Sequence, residues 1–244
     1  MRVKVAHLSD LHLTSSYFVP EWGESAMRLV HEAKPDIVIV SGDVTDFGYI
    51  FEYEHVEKWF RNFDLENLVV VPGNHDAKNQ GYLIFEEIFK TRYPYLVNSN
   101  AVVVGIDSSQ PDLDDGHIGR EKYEFITERF NVDAGKIKIA TLHHHLIPIP
   151  GTGRERHIPT DAGDVLKLFC DLGVDFVFSG HKHQPWVWRF ENTYYITAGT
   201  ATTRRLKGKS YPSFNLLEVT DDSVVLKEVN VATGEERLVL EARR

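Results

Sequence analysis

The 244-residue chain has one cysteine, Cys170, which excludes an internal disulfide framework and fits a reducing compartment. No apolar run approaches the ~18 residues of a membrane-spanning helix, so no membrane association is expected. The opening MRVKVAHLSD enters a strand pattern at once, without the apolar stretch of a secretory signal; a cytoplasmic location is the expectation. No Ser/Gly-rich linker, low-complexity tract or internal repeat of roughly 20–50 residues divides the chain, and a single domain over residues 1–244 is expected. Positive charge is also scarce, with 27 Lys and Arg against 36 Asp and Glu and a formal net charge of −9. Such a chain repels a long polyanion and lacks the basic stripe that broad nucleic-acid binding uses. Phosphate chemistry here would need a locally positive centre, which metal ions can supply.

What the chain does have is an alternating pattern. VKVAHLS, DIVIVSG, NLVVVPG, AVVVGID, KIKIATL and VDFVFSG read as buried strands. Between them ESAMRLVHEA, FEYEHVEKWFRNF, YLIFEEIFKTRY, REKYEFITERF and DAGDVLKLFCDLG carry apolar residues at helical spacing. That spacing puts Cys170 in the core. PWVWRF, TYYITAG, SFNLLEV, SVVLKEV and ERLVLEA then read as further strands. Strand–helix alternation implies parallel sheet with right-handed crossovers, and the strand-rich end implies an antiparallel addition, most simply a second sheet packed on the first. The expectation is an α/β sandwich with two central sheets and helices on the outer faces.

Ligands of such sheets bind beyond the carboxyl ends of the strands. Those ends hold SDLH (Asp10, His12), SGDVTD (Asp43, Asp46), PGNHD (Asn74, His75, Asp76), HHH (His143, His144, His145) and SGHKH (His181, His183). Asp107, at another strand end, reads as structural. Each fragment alone is weak, because Asn and Asp also favour turns and paired histidines are common on surfaces. Five sets of metal-ligand residue types at five strand ends form a strong collective signal.

The order D-x-H, G-D-x-x-D, G-N-H-D, H-x-x, G-H-x-H resembles the calcineurin-like metallophosphoesterase superfamily, most closely its small bacterial and archaeal class III cyclic nucleotide phosphodiesterases. The resemblance implies a four-layer αββα sandwich with two mixed sheets. It implies two divalent metal ions, one held by Asp10, His12, Asp43 and His183 and the other by Asp43, Asn74, His143 and His181, with Asp43 bridging. His75 would lie over the substrate phosphate and its leaving group, and Asp76 would hydrogen-bond that imidazole. Aligned from the strand side, LHHHLIP makes His143 the ligand; counted back from the proline, it makes His144 the ligand.

The mixed nitrogen and oxygen donors suit manganese, iron or zinc better than calcium or magnesium. The implied activity is hydrolysis of a small phosphodiester, cyclic nucleotides leading, by a hydroxide bridging the metals. Arg154, with Arg156 and His157 in the same loop, and His145 are candidates for substrate contact, as are Arg204 and Arg205 after a later strand end; Trp186 and Trp188 read as packing, and His31, His55 and His117 as unpartnered surface residues. A phosphomonoesterase or protein phosphatase is the alternative. Protein phosphatases, however, carry a phosphate-gripping arginine where this chain has Phe47, and tend to have Glu in place of Asp76. A nuclease is disfavoured by charge, and a non-catalytic scaffold by the complete ligand set. The strand-rich C-terminal segment offers a surface for a homodimer.

Overall fold

Alternating apolar residues give each central strand two buried faces, and the two faces pack against different layers. In β1 (Arg2–Leu8) and β2 (Ile37–Val40), Val3, Val5, Ile37 and Ile39 point into the space between two sheets, whereas Ala6, Leu8, Val38 and Val40 point toward helices. The structure is a computed structural model and describes residues 1–63, 65–131, 135–152 and 157–244.

One sheet runs β12-β11-β10-β1-β2-β3, with β3 at Leu68–Val70, β10 at Ser213–Thr220, β11 at Ser223–Asn230 and β12 at Glu236–Arg243. The other runs β4-β5-β6-β7-β9-β8, from β4 (Tyr95–Val97), β5 (Ala101–Gly105), β6 (Ile137–Thr141), β7 (Phe176–Ser179), β8 (Trp186–Phe190) and β9 (Thr193–Thr197). Within the first, β1, β2 and β3 are parallel and β10 to β12 antiparallel. Within the second, β5, β6, β7 and β9 are parallel, flanked by antiparallel β4 and β8.

Helices α1 (Pro20–Ala33), α2 (Ile50–Arg61) and α3 (Gly81–Phe89) cover the first sheet through Met27, Val30, Tyr53, Val56 and Phe85. Helices α4 (Tyr123–Phe130) and α5 (Ala162–Leu172) cover the second through Ile126, Phe130, Val165 and Phe169. The result is a four-layer αββα sandwich. It corrects one expectation: the C-terminal strands do not form a second sheet of their own. The parallel strands themselves divide between the sheets, and the later strands extend both. Cys170 is also not a core residue. It is half-buried and borders a cavity of about 650 Å³ between α5 and the β8–β9 hairpin.

His7 shows how polar groups are accommodated between the sheets. Fully buried against Phe178, it donates from Nε2 to Ser41 Oγ at 2.8 Å and accepts at Nδ1 from Asn215 Nδ2 at 3.3 Å. Asn215 uses its other amide proton on Thr197 O, so a proton on Nδ1 would face a donor. Burial pushes the His7 imidazole down to about 3, against the attraction of Asp10. Between that value and the ordinary 6.5 the unfolded chain binds the extra proton, so stability falls as pH drops through this window. At 1.36 kcal/mol per unit, acidification from pH 7 to 5 costs about 2 kcal/mol at this site. Urea denaturation of His7→Gln should show a pH 7-to-5 loss smaller than wild type by about that amount; an equal loss would mean that His7 is not the source.

Candidate metal centre

The turns after β1, β2 and β3 come from one sheet and those after β6 and β7 from the other, and their side chains meet across one end of the sandwich. Tight backbone packing makes this possible. Asp10 N donates to Gly42 O, His12 N to Asp43 O, and Gly180 N to His143 O, all at 2.9–3.0 Å. A Cβ on Gly73 would strike the Asp43 carboxylate, and one on Gly180 would strike Ser9 and Asp10. Asp10, His12, Asp43, His181 and His183 all have φ between 39° and 73°, a left-handed conformation uncommon for side-chain-bearing residues. Strain concentrated this way is retained where the surroundings impose it and a site needs it.

Two groups of donor atoms result. In the first, His183 Nε2 lies 3.3 Å from Asp10 Oδ1 and 3.3 Å from His12 Nε2, and His12 Nε2 lies 3.7 Å from Asp43 Oδ2. In the second, His143 Nε2 is 3.4 Å from Asp43 Oδ2 and 3.1 Å from Asn74 Oδ1, and His181 Nδ1 is 3.0 Å from the same amide oxygen. Asp43 Oδ2 is common to both. Asn74 Nδ2 donates to Asp114 Oδ1 at 3.0 Å, which turns the amide oxygen inward.

The protonation pattern tests whether these atoms suit a cation. Nδ1 of His12 donates to Thr45 O at 3.1 Å, of His143 to Ser41 O at 2.8 Å, and of His183 to Arg205 O at 2.9 Å. In the neutral imidazoles each Nε2 is then a bare lone pair, and those of His12 and His183 face one another. A divalent ion satisfies them, and such outer carbonyl bonds are what orient metal-binding histidines. The residues fit metal ions. Without a metal, Asp43 and His143 share the charge: burial opposes it, but the neighbouring imidazoles of His143 and His75 hold Asp43 well below the usual carboxylate range. Despite burial, Asp43 raises His143 to about 9.

A third grouping, His12, Asp46 and His75, is a hydrogen-bond network instead. His75 Nδ1 donates to Asp46 O at 2.6 Å, and the Asp46 carboxylate lies 3.4 Å from His12 Nδ1. Arg205 closes this network, with Nη1 and Nη2 at 2.9 and 3.2 Å from the Asp46 oxygens. Burial opposes the charge on Asp46, but His12 and the Arg205 guanidinium lower its pKa.

Several expectations are corrected here. Asp76 does not hold His75. Its carboxylate is fully buried and accepts from Gly73 N, Val44 N, Thr45 N and Thr45 Oγ1 at 2.8–3.2 Å, stitching the β2 and β3 turns together. Burial and the charge of Asp43 push it up to about 6, against these four donors. The residue that orients His75 is Asp46.

Of the histidine triplet, His143 enters the cluster. His144 is committed elsewhere, with Nδ1 on Ser108 Oγ at 2.8 Å and Nε2 donating to Asp114 O at 3.2 Å. His145 is only 2% exposed and stacks behind His181, so it does not meet substrate as expected; the turn after β6 folds it inward, and burial drives its pKa down to about 3. Arg154 and Arg156 lie outside the described residues. Arg204 is exposed and Arg205 is engaged by Asp46, whereas His157 borders the cleft. Trp186 and Trp188 pack edge to face, as expected, although Trp188 stays 37% exposed. Asp107 is buried and pairs with Arg92 at 2.6 Å, consistent with a structural role. His31 and His55 are exposed, but His117 has a partner in Thr160.

Sequence reading missed Asp114, Lys182 and Lys207, which border the same cleft of about 230 Å³. Asp114 sits in an acidic loop that reads as solvated surface. The second Asp of G-D-x-x-D was a signal for Asp46.

Residues 3–185 match the calcineurin-like phosphoesterase family. A probable cyclic nucleotide phosphodiesterase of Xenorhabdus bovienii is 26% identical, covering 90% of this chain and 97% of its own. Among solved structures, purple acid phosphatase PPD1 from yellow lupin superposes with a TM-score of 0.77 at 15% identity over 100% of this chain and 54% of its own. GAP50, the anchor in the inner membrane complex of Plasmodium, superposes with a TM-score of 0.71 at 15% identity over 99% and 88%. These two likenesses concern the fold.

Proposed function

Because the chain belongs to the calcineurin-like phosphoesterases, enzymes that hydrolyse phosphate esters, we propose that it acts on small phosphodiesters and uses two divalent metal ions. The observation that carries this reading is the pair of donor groups joined at Asp43 Oδ2, with His75 beside them. Asp10, His12, Asp43 and His183 would hold one ion and Asp43, Asn74, His143 and His181 the other; manganese, iron or zinc suit the donors. When bound, such ions supply an activated water and neutralise charge at phosphorus.

The chain's own residues do the rest. Asp43 fixes the His75 backbone, since its Oδ1 accepts His75 N at 2.9 Å. His75 Nδ1–H donates to Asp46 O, so Nε2 is the ring nitrogen left for the cleft, and in the doubly protonated imidazolium its proton stabilises the departing oxygen or passes to it. Arg205 balances the Asp46 carboxylate, so that His75 meets a neutralised partner. A cyclic nucleotide or related diester is the proposed substrate, in line with the likeness to a probable cyclic nucleotide phosphodiesterase of Xenorhabdus bovienii. Two dications against the carboxylates of Asp10 and Asp43 leave the centre positive enough to draw a phosphate anion into an acidic protein.

Lys182 and Lys207 at the cleft favour a second reading, a monoesterase, because they suit a dianion. The deciding experiment compares bis(p-nitrophenyl) phosphate with p-nitrophenyl phosphate on chelator-treated protein before and after manganese. Metal-dependent turnover with diester preference supports the proposal. Monoester preference favours the second reading, and no turnover of either by metal-loaded protein rejects both.

A further inference from the structure

The cleft above the donor cluster is small and polar. Its volume of about 230 Å³ is below the ~300–1,000 Å³ of sites that enclose a whole drug-sized ligand, and its walls are Asp, Asn, His, Lys and Thr side chains. It can hold a phosphoryl group, but among the described residues no aliphatic or aromatic hydrocarbon side chain lines it. The organic part of an ester therefore needs a surface beyond these walls.

The chain displays such a surface on the turn that follows the carbonyl holding His75. Phe47 follows Asp46, whose carbonyl holds His75 Nδ1. Phe47, Tyr49 and Phe51 are 50%, 43% and 61% exposed. Their rings form a ladder, with centroids 6.2 Å apart between Phe47 and Tyr49 and 5.6 Å between Tyr49 and Phe51.

The turn that carries the ladder is rigidly built. Glu52, 1% exposed, accepts from Asp46 N, Phe47 N and Tyr49 N and from Thr14 Oγ1, while Asn79 Nδ2 donates to Phe47 O. Exposed apolar surface such as this, one residue from the carbonyl that holds His75 Nδ1, is the kind that marks a binding site.

We propose that Phe47, supported by Tyr49, is the platform on which a planar aromatic group of the ester stacks, so that the enzyme selects phosphoesters bearing a nucleobase-like ring. This rests on the phosphoesterase reading above.

Calorimetry on manganese-loaded protein with AMP and with ribose 5-phosphate isolates the ring. Wild type should bind AMP tighter by about fivefold or more, the range of one base–aromatic contact. Phe47→Ala should erase that difference without changing ribose 5-phosphate affinity, and Phe47→Tyr should retain it. Equal binding of the two by wild type, or a difference that survives Phe47→Ala, overturns the platform. So does loss of ribose 5-phosphate binding in Phe47→Ala, which would make the turn a support for the cleft. A wild-type dimer in sedimentation that Phe47→Ala dissociates would assign the ladder to a subunit contact instead. If neither ligand binds wild type, the platform is overturned, while the phosphoesterase reading stands or falls separately on the diester and monoester turnover assay above.

Discussion

Asp43→Asn protein should show no rise in its thermal midpoint on adding manganese and a diester turnover at least about a thousandfold below wild type. Asp43 Oδ2 is the oxygen shared by the two donor groups, so neutralising it should weaken both proposed ion seats together. The substitution keeps shape, and the amide oxygen can still accept His75 N, so the fold should persist. Stabilisation by a bound ligand follows mass action, about 2.7 kcal/mol at a hundredfold excess over Kd, and it should vanish with the seats. The rate estimate follows from the several kcal/mol of charge stabilisation that metal ions supply, at 1.36 kcal/mol per tenfold. Differential scanning calorimetry and metal analysis by mass spectrometry check it. An Asp43→Asn variant that still loads both ions and turns over would remove the bridging role.

His75→Ala should separate metal binding from turnover. The His75 side chain hydrogen-bonds outward to Asp46 O, and neither donor group contains it, so metal content should remain at the wild-type level. The rate should fall by about 10²–10⁴, the usual contribution of a positioned proton donor. The size of the loss should depend on the leaving group. p-Nitrophenolate departs without a proton, whereas an alkoxide needs one, so a ribose-type leaving group should suffer more. An equal loss with both would assign His75 to charge stabilisation of the phosphate alone.

The fold was partly legible because apolar periodicity is local. Strands such as IVIV, with every residue buried, announce themselves without reference to partners. Which strands pair is not local: β1 lies between β2 and β10, some 200 positions away in sequence, and nothing within β1 names either neighbour. The short edge strand β4, with Tyr95 39% and Val97 45% exposed, lacks the buried alternation that would have signalled it. Cys170 fits a helical apolar stripe, but the stripe runs to the edge of α5, where the cavity begins.

The candidate site divides in the same way. Residue types and their places at strand ends were readable, because the end of a parallel strand is where a side chain can leave the sheet with its backbone already satisfied. Orientation was not. Asp46 and Asp76 each stand near His75 in sequence or motif, and only the packing of the β2 turn over the β3 turn sends Asp76 to backbone amides and Asp46 to the imidazole. Likewise three adjacent histidines are equivalent as text, yet Ser41, Ser108 and His181 draw them in three directions.

By itself the sequence determined the alternation of elements, the chemistry available at five strand ends and the acidic charge that calls for metal ions if phosphate is to bind. The tertiary structure decided the division of strands between two sheets, the entry of His143, and the joining of Arg205 to Asp46 across 159 positions. Periodicity and residue type are properties of a few neighbouring positions, whereas pairing, burial and hydrogen-bond direction depend on segments that meet only when the chain has folded.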